Sequence, residues 1–162
     1  MKIYIVGISC VGKTAIGKLL ADYLEFSFYD LDTEVEEYYQ KPIEILQNVC
    51  LKMNGYRQKA SVVLDELLKT PENAVISGAP SGLRDAYLQV YKKHKKVIDI
   101  KLVNIIDTPE NILNRLTFYD VDSKLLDIEL DENEKKKYLK KIIGDWNYFK
   151  KIAKSCRFTN KY

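Results

Sequence analysis

KIYIVGISCVGKT, residues 2–14, decides the fold. Lys2 to Val6 reads as a buried strand, a short apolar run with no helical periodicity. Gly7 to Thr14 then fits G-x-x-x-x-G-K-[ST] at every position. In that motif the glycines let the backbone turn tightly, so successive N–H groups aim at phosphate oxygens. A helix opens at Lys13, with Ile16, Leu19, Leu20 and Leu24 at helical spacing, and adds the positive end of its dipole to the loop. The loop therefore predicts a nucleotide cradle of Gly7, Ser9, Cys10, Val11, Gly12, Lys13, Thr14 and Ala15. Within it Lys13 reaches the β- and γ-phosphates, and Thr14 gives its hydroxyl to Mg²⁺.

Outward from the loop, short apolar runs alternate with helical patterns. Further strands are expected at Phe26 to Tyr29, Ala74 to Ile76, within Val97 to Ile106, and at Arg157 to Thr159. Helices are expected at Thr33 to Tyr39, Ile43 to Val49, Tyr56 to Leu68, Leu83 to Lys93, Pro109 to Tyr119 and Glu132 to Lys154. Pro109 suits a first helical turn, with Asp107 or Thr108 as its cap. The alternation predicts a three-layer α/β/α fold with a parallel five-stranded sheet and right-handed crossovers, and the phosphate loop in so short a chain makes a P-loop kinase fold the expectation.

Composition sets the bounds. The chain has 162 residues, and 26 basic side chains against 23 acidic ones give a net charge of +3. That length suits a single domain over residues 1–162, and the balanced charge argues against a nucleic-acid partner. No stretch is apolar for long enough to span a bilayer or to form a signal-peptide core. Cys10, Cys50 and Cys156 are far apart and His94 is the only histidine, so no zinc site is expected. Reduced thiols, a cytoplasmic location and a monomer binding a small molecule, with no membrane partner, are the simplest expectation. Tyrosines at helical spacing and Trp146 read as packing, and His94 reads as a solvated helix end.

The charge balance is an average. Tyr119 to Glu134 holds seven acids and one base, and Lys135 to Lys161 holds nine lysines and Arg157 against Asp145 alone. A lid over about residues 119–131 followed by a basic helix fits this pattern.

The second strand ends in Asp30-Leu31-Asp32. Strand period two puts both carboxylates on one face at the carboxyl edge of the sheet, where α/β folds bind ligands. One acid could orient Mg²⁺ through its water while the other takes a hydroxyl's proton. The same stretch also suits a helix N-cap at Asp32 or Thr33.

GISCVGKT, the DLD of residues 30–32, KPIEIL (41–46), Tyr56-Arg57 followed by Leu64 and Leu67, and VISGAP (75–80) come in the order and spacing of shikimate kinases. The chain resembles that family over nearly its whole length, most specifically in its first half. The resemblance implies transfer of the ATP γ-phosphate to a ring hydroxyl with Mg²⁺. It implies Asp30 on the metal side, Asp32 at the acceptor hydroxyl, and Arg57 as anchor of the acceptor's carboxylate. Gly78 and Ala79 belong to the family's acceptor-binding turn, and Arg115 looks like the residue against adenine.

Departures from the family pattern fall at the acceptor and the lid. Gly78-Ala79-Pro80 stands where the family has three glycines, and Pro80 has no N–H to offer. The Arg-Pro-Leu-Leu lid motif looks like Ser123-Lys124-Leu125-Leu126, leaving Lys124 as a point charge for catalysis rather than a guanidinium fork. The pattern that supplies a second carboxylate-binding arginine aligns with Asp145, Phe149 and Ala153, and an aspartate there would repel a carboxylate. Ala60 replaces the glutamate that supports the first arginine. Only four arginines exist, at 57, 84, 115 and 157, and Arg84 and Arg157 are the available substitutes. The acceptor is thus shikimate or another polyol, sugar acid or nucleoside; a nucleotide-binding protein without transfer is the alternative.

Overall fold

The computed structural model describes residues 1–50, 52–80, 82–122 and 124–156. The strand before the phosphate loop, β1 (Lys2–Val6), is buried along its whole length. It lies between β3 (Ala74–Ser77) and β4 (Ile100–Asn104), and β2 (Ser27–Asp30) flanks β3, all pairs running parallel. The order β2-β3-β1-β4 makes a sheet of four strands among the described residues. The fifth strand expected at 157–159 lies outside the described residues, and among those described the sheet has four strands, not the five expected.

Strand alternation divides the core. Ile3, Ile5 and Val75 pack with Ala21 of α1 (Lys13–Leu24) on one face. Tyr4, Val6 and Ile76 face the other way, toward α4 (Met53–Lys69), α5 (Asp85–His94) and α7 (Glu132–Cys156), with Leu64, Tyr87, Tyr91 and Phe149 among their partners. The tyrosines of this layer are packing residues, as their spacing predicts. Two short helices, α2 (Leu31–Tyr39) and α3 (Ile43–Val49), connect β2 to α4 along the carboxyl edge.

Beyond β4 the chain departs from expectation. Thr108 caps α6 (Pro109–Leu113), its hydroxyl accepting from Asn111 N at 3.2 Å, but the helix stops five residues on instead of reaching Tyr119. Phe118 and Tyr119 form β5, paired antiparallel with β6 (Leu125–Leu126). Asp120 closes this hairpin by accepting from the N–H groups of Asp122 and Lys124, each at 2.9 Å. The acidic segment expected to be a lid therefore carries a small folded hairpin.

The opposite edge of the sheet is tied down by side chains. Lys2 Nζ donates to Thr70 Oγ1 at 2.5 Å and to Glu72 O at 2.8 Å, and the Tyr29 hydroxyl donates to Glu72. His94 is buried rather than solvated, with Nε2 2.7 Å from Asp65 Oδ1. Asp65 also pairs with Lys69 and Lys93. These bonds all lie away from the phosphate loop.

Candidate active site

Gly7 has φ 152°, and a Cβ there would sit 2.7 Å from the Ile105 carbonyl oxygen and 2.9 Å from Val11 Cγ1. Only glycine fits where the strand turns into the loop. Cys10 also has positive φ, and Gly12 caps α1 in the left-handed region. Ser9, Cys10, Gly12, Lys13, Thr14 and Ala15 line a cavity of about 380 Å³ together with Asp30, Asp32, Ser77 and Gly78. Val11 is instead buried in the core beneath the loop.

Lys13 is largely buried, and its Nζ donates to the Ile8 carbonyl at 2.9 Å. Burial lowers its pKa, and the charges of Asp32 and Asp30 oppose that shift. Thr14 Oγ1 donates to Asp30 Oδ2 at 2.6 Å. The other Asp30 oxygen accepts from Asp32 N at 3.1 Å and Thr33 N at 3.5 Å, capping α2. The cap is thus Asp30, two or three residues before the Asp32 or Thr33 expected. One carboxylate serves both helix and loop.

No cluster of three or more metal-ligating side chains occurs among the described residues. One hydroxyl and one carboxylate suit a hard cation that keeps waters and binds substrate phosphates, which is how Mg²⁺ is usually held. Thr14 and Asp30 fit that ion.

Asp32 borders both this cavity and a larger one of about 530 Å³. Its carboxyl is pushed up to about 6, chiefly by burial and then by Asp30, against the pull of Lys13. It is mainly ionised at neutral pH yet more basic than an ordinary carboxylate, which suits a group that takes a proton from a hydroxyl. The larger cavity is also lined by Tyr56, Arg57, Ala79, Pro80, Arg84 and Asp145. Gly78 borders only the phosphate side, and its N–H is already donated to the Ile5 carbonyl at 2.8 Å.

Arg57 donates from Nη1 to Asp85 Oδ2 at 2.7 Å. A carboxylate partner for Arg57 thus comes from the start of α5, while position 60 on its own helix is an alanine. Arg84 donates from Nη2 to Asp145 Oδ1 at 3.1 Å, and its guanidinium lies 3.9 Å from the Tyr148 ring centroid. Asp145 is therefore charge-paired. Sequence spacing alone missed both pairings; only the position of Arg84 after the turn hinted at one.

The remaining expected residues lie at the periphery. Arg115 stands beside the loop, its Nε donating to the Cys10 carbonyl at 3.0 Å and its Nη2 paired with Asp107. Hydrogen bonds from Asn111 and Arg115 hold the Asp107 carboxyl down at about 2. Lys124 is exposed in the lid hairpin and lines neither cavity.

The shikimate kinase family model matches residues 9–140. The chain belongs to the shikimate kinase family. A shikimate kinase of Alkaliphilus oremlandii is 35% identical over 97 residues, 59% of this chain and 56% of that protein. One from Aquifex aeolicus is 32% identical over 103 residues, 63% of this chain and 60% of that protein. Matched segments thus span less than two thirds of these curated relatives' lengths. The solved shikimate kinase of Acinetobacter baumannii, in complex with shikimate, superposes with a TM-score of 0.65 at 26% identity, covering 91% of this chain and 78% of that one. The P-loop kinase fold of the family is the fold described above. Among the described residues, no helix is long and apolar enough to cross a membrane.

Proposed function

We propose that this member of the shikimate kinase family transfers the γ-phosphate of ATP to a hydroxyl of shikimate or a closely similar carboxylated polyol, with Mg²⁺. The observation that carries the reading is the position of Asp32 at the seam between the two cavities. A nucleotide on the phosphate loop and an acceptor beside Arg57 would meet at that carboxylate. The relatives' activity and the shikimate bound in the A. baumannii enzyme support this assignment.

In this reading Lys13 releases the Ile8 carbonyl and offers its charge to the β- and γ-phosphates. Thr14 and Asp30 would hold Mg²⁺, which would supply positive charge to offset that of the phosphates. Asp32 orients the acceptor hydroxyl and takes its proton. Arg57, kept in place by Asp85, receives the acceptor's carboxylate. Arg115 stands where it can meet the nucleotide's base, and the lid hairpin closes over the phosphates and excludes water.

A coupled ADP-release assay with shikimate tests the proposal, with polyols, sugar acids and nucleosides as comparison acceptors. Shikimate-dependent ADP release that Lys13→Ala abolishes is the expected result. The exposed position of Lys124 favours the second reading, a nucleotide-binding protein without transfer. ATP-induced thermal stabilisation with no acceptor-dependent ADP release would select it.

A further inference from the structure

Two adjacent residues at the start of α5 reach in different directions across the larger cavity. Asp85 runs to Arg57 on α4, while Arg84 runs to Asp145 on α7. The left-handed backbone of Asp85, φ 48°, separates the two side chains. Their ion pairs differ in one respect. Asp85 does not line the cavity and its side chain is 47% exposed, so the counter-ion of Arg57 lies outside that space. Asp145 is itself part of the lining, so the counter-ion of Arg84 shares the space an acceptor would occupy.

The Arg84–Asp145 contact is also incomplete. Nε and Nη2 form one edge of a guanidinium, the edge that takes a carboxylate with two parallel bonds. Asp145 uses Nη2 alone, at 3.1 Å, longer than the roughly 2.7–2.9 Å of a strong charge-assisted bond. The Nε of Arg84 is buried and has no hydrogen-bond partner among the described residues. The Asp145 side chain is 39% exposed, so it can turn to water at small cost. Arg84 does not depend on Asp145 for its place, because Tyr148 stacks against its plane at 3.9 Å.

We propose that Arg84 is a specificity-determining residue of the acceptor cavity: its Nε–Nη2 edge takes a carboxylate of the acceptor, and Asp145 occupies half of that edge when no acceptor is bound. The acceptor's carboxylate displaces Asp145 by making two bonds where Asp145 makes one. Arg57 and Arg84 then face the same anionic group from α4 and from the start of α5. Asp145 thereby sharpens the preference: an acceptor without a carboxylate gains no paired bonds at Arg84 and leaves the internal pair in place. This rests on the reading of the larger cavity as the acceptor site.

The test compares wild type, Arg84→Gln, Arg84→Lys and Asp145→Asn with two probes, shikimate and its carboxamide. Isothermal titration of each probe into the protein, and acceptor KM where transfer occurs, are the readouts. Arg84→Gln is expected to weaken shikimate at least 30-fold while leaving the KM for ATP and the weak carboxamide binding unchanged. Arg84→Lys should recover only part of that loss, because an ammonium lacks the fork. Asp145→Asn should bind shikimate several-fold tighter than wild type, an effect that misfolding cannot mimic. A shikimate-to-carboxamide preference in Arg84→Gln equal to that of wild type would overturn the proposal, as would wild type failing to bind shikimate at millimolar concentration. Binding that follows the expected order with no phosphate transfer would refute the kinase reading and leave the role of Arg84 standing.

Discussion

Replacing Asp32 by asparagine should make the protein more stable and less active, and the stability gain should depend on pH. The carboxyl rises from 3.8 to about 6 in the folded chain. A group whose pKa is raised by folding binds more protons folded than unfolded between those values, so it lowers stability as pH rises through that window. The cost is absent below about pH 4, grows to about pH 6 and is constant above. Two pH units correspond to at most about 3 kcal/mol. That figure already contains the repulsion of Asp30 and the attraction of Lys13. Asparagine keeps the shape without the charge, so a gain of about 1–3 kcal/mol at pH 7.5 is expected, or several degrees in Tm for a domain of this size. Thermal melts of both proteins across pH 4–8 measure it. Turnover with the best acceptor should fall about 10²–10⁴-fold in the same variant, the usual contribution of a positioned proton acceptor. A gain that persists undiminished at pH 4, or no gain at pH 7.5, would refute the reasoning that burial and Asp30 hold this carboxyl up.

Other outcomes follow from single residues. In wild type, kcat/KM for the acceptor should fall on the acid side with a midpoint near pH 6, as protonation of Asp32 removes the free enzyme's proton acceptor; a steady-state pH profile reads it. Asp30→Asn should retain the α2 cap and near-native Tm while the Mg²⁺ concentration needed for half-maximal activity rises; Asp30→Ala should show that defect and also lose about 1 kcal/mol in a urea titration. Gly7→Ala should destabilise the protein by about 2 kcal/mol or more and weaken ATP-induced thermal stabilisation, since its Cβ would meet the Ile105 carbonyl oxygen at 2.7 Å.

The phosphate loop was legible because everything it needs is contiguous: an apolar run, two glycines, a lysine and a helix start. The alternation of strands and helices was legible for the same reason, since each element announces itself within a few residues. Errors arose where a local pattern is overridden at a distance. Apolar residues at 112, 113 and 116 continue a helical spacing, yet the chain leaves α6 so that Phe118 and Tyr119 can pair with β6. His94 sits in a run of lysines that suggests solvent, but Asp65, on another helix, buries and bonds it. The Arg84–Asp145 pair spans 61 residues and turns on one left-handed backbone at Asp85, which spacing cannot announce. Read alone, Asp145 suggested repulsion; its partner makes it part of a balanced pair.

The side-chain ties along the lower edge of the sheet have a consequence for how such a protein can change over time. Lys2, Tyr29, Glu72, Asp65 and His94 fasten strand starts and helix ends there, remote from either cavity. Gly7 and Asp30 on the upper rim still shape the loop and cap α2, but the part-exposed pairs Arg57–Asp85 and Arg84–Asp145 add little to stability and are open to exchange. Arg57 pairs with Asp85 and Arg84 with Asp145 through side chains alone, so either pair can change without removing a backbone bond of the scaffold. The ion pairs of the larger cavity can therefore vary while the ties at the far end of the four strands hold the sheet.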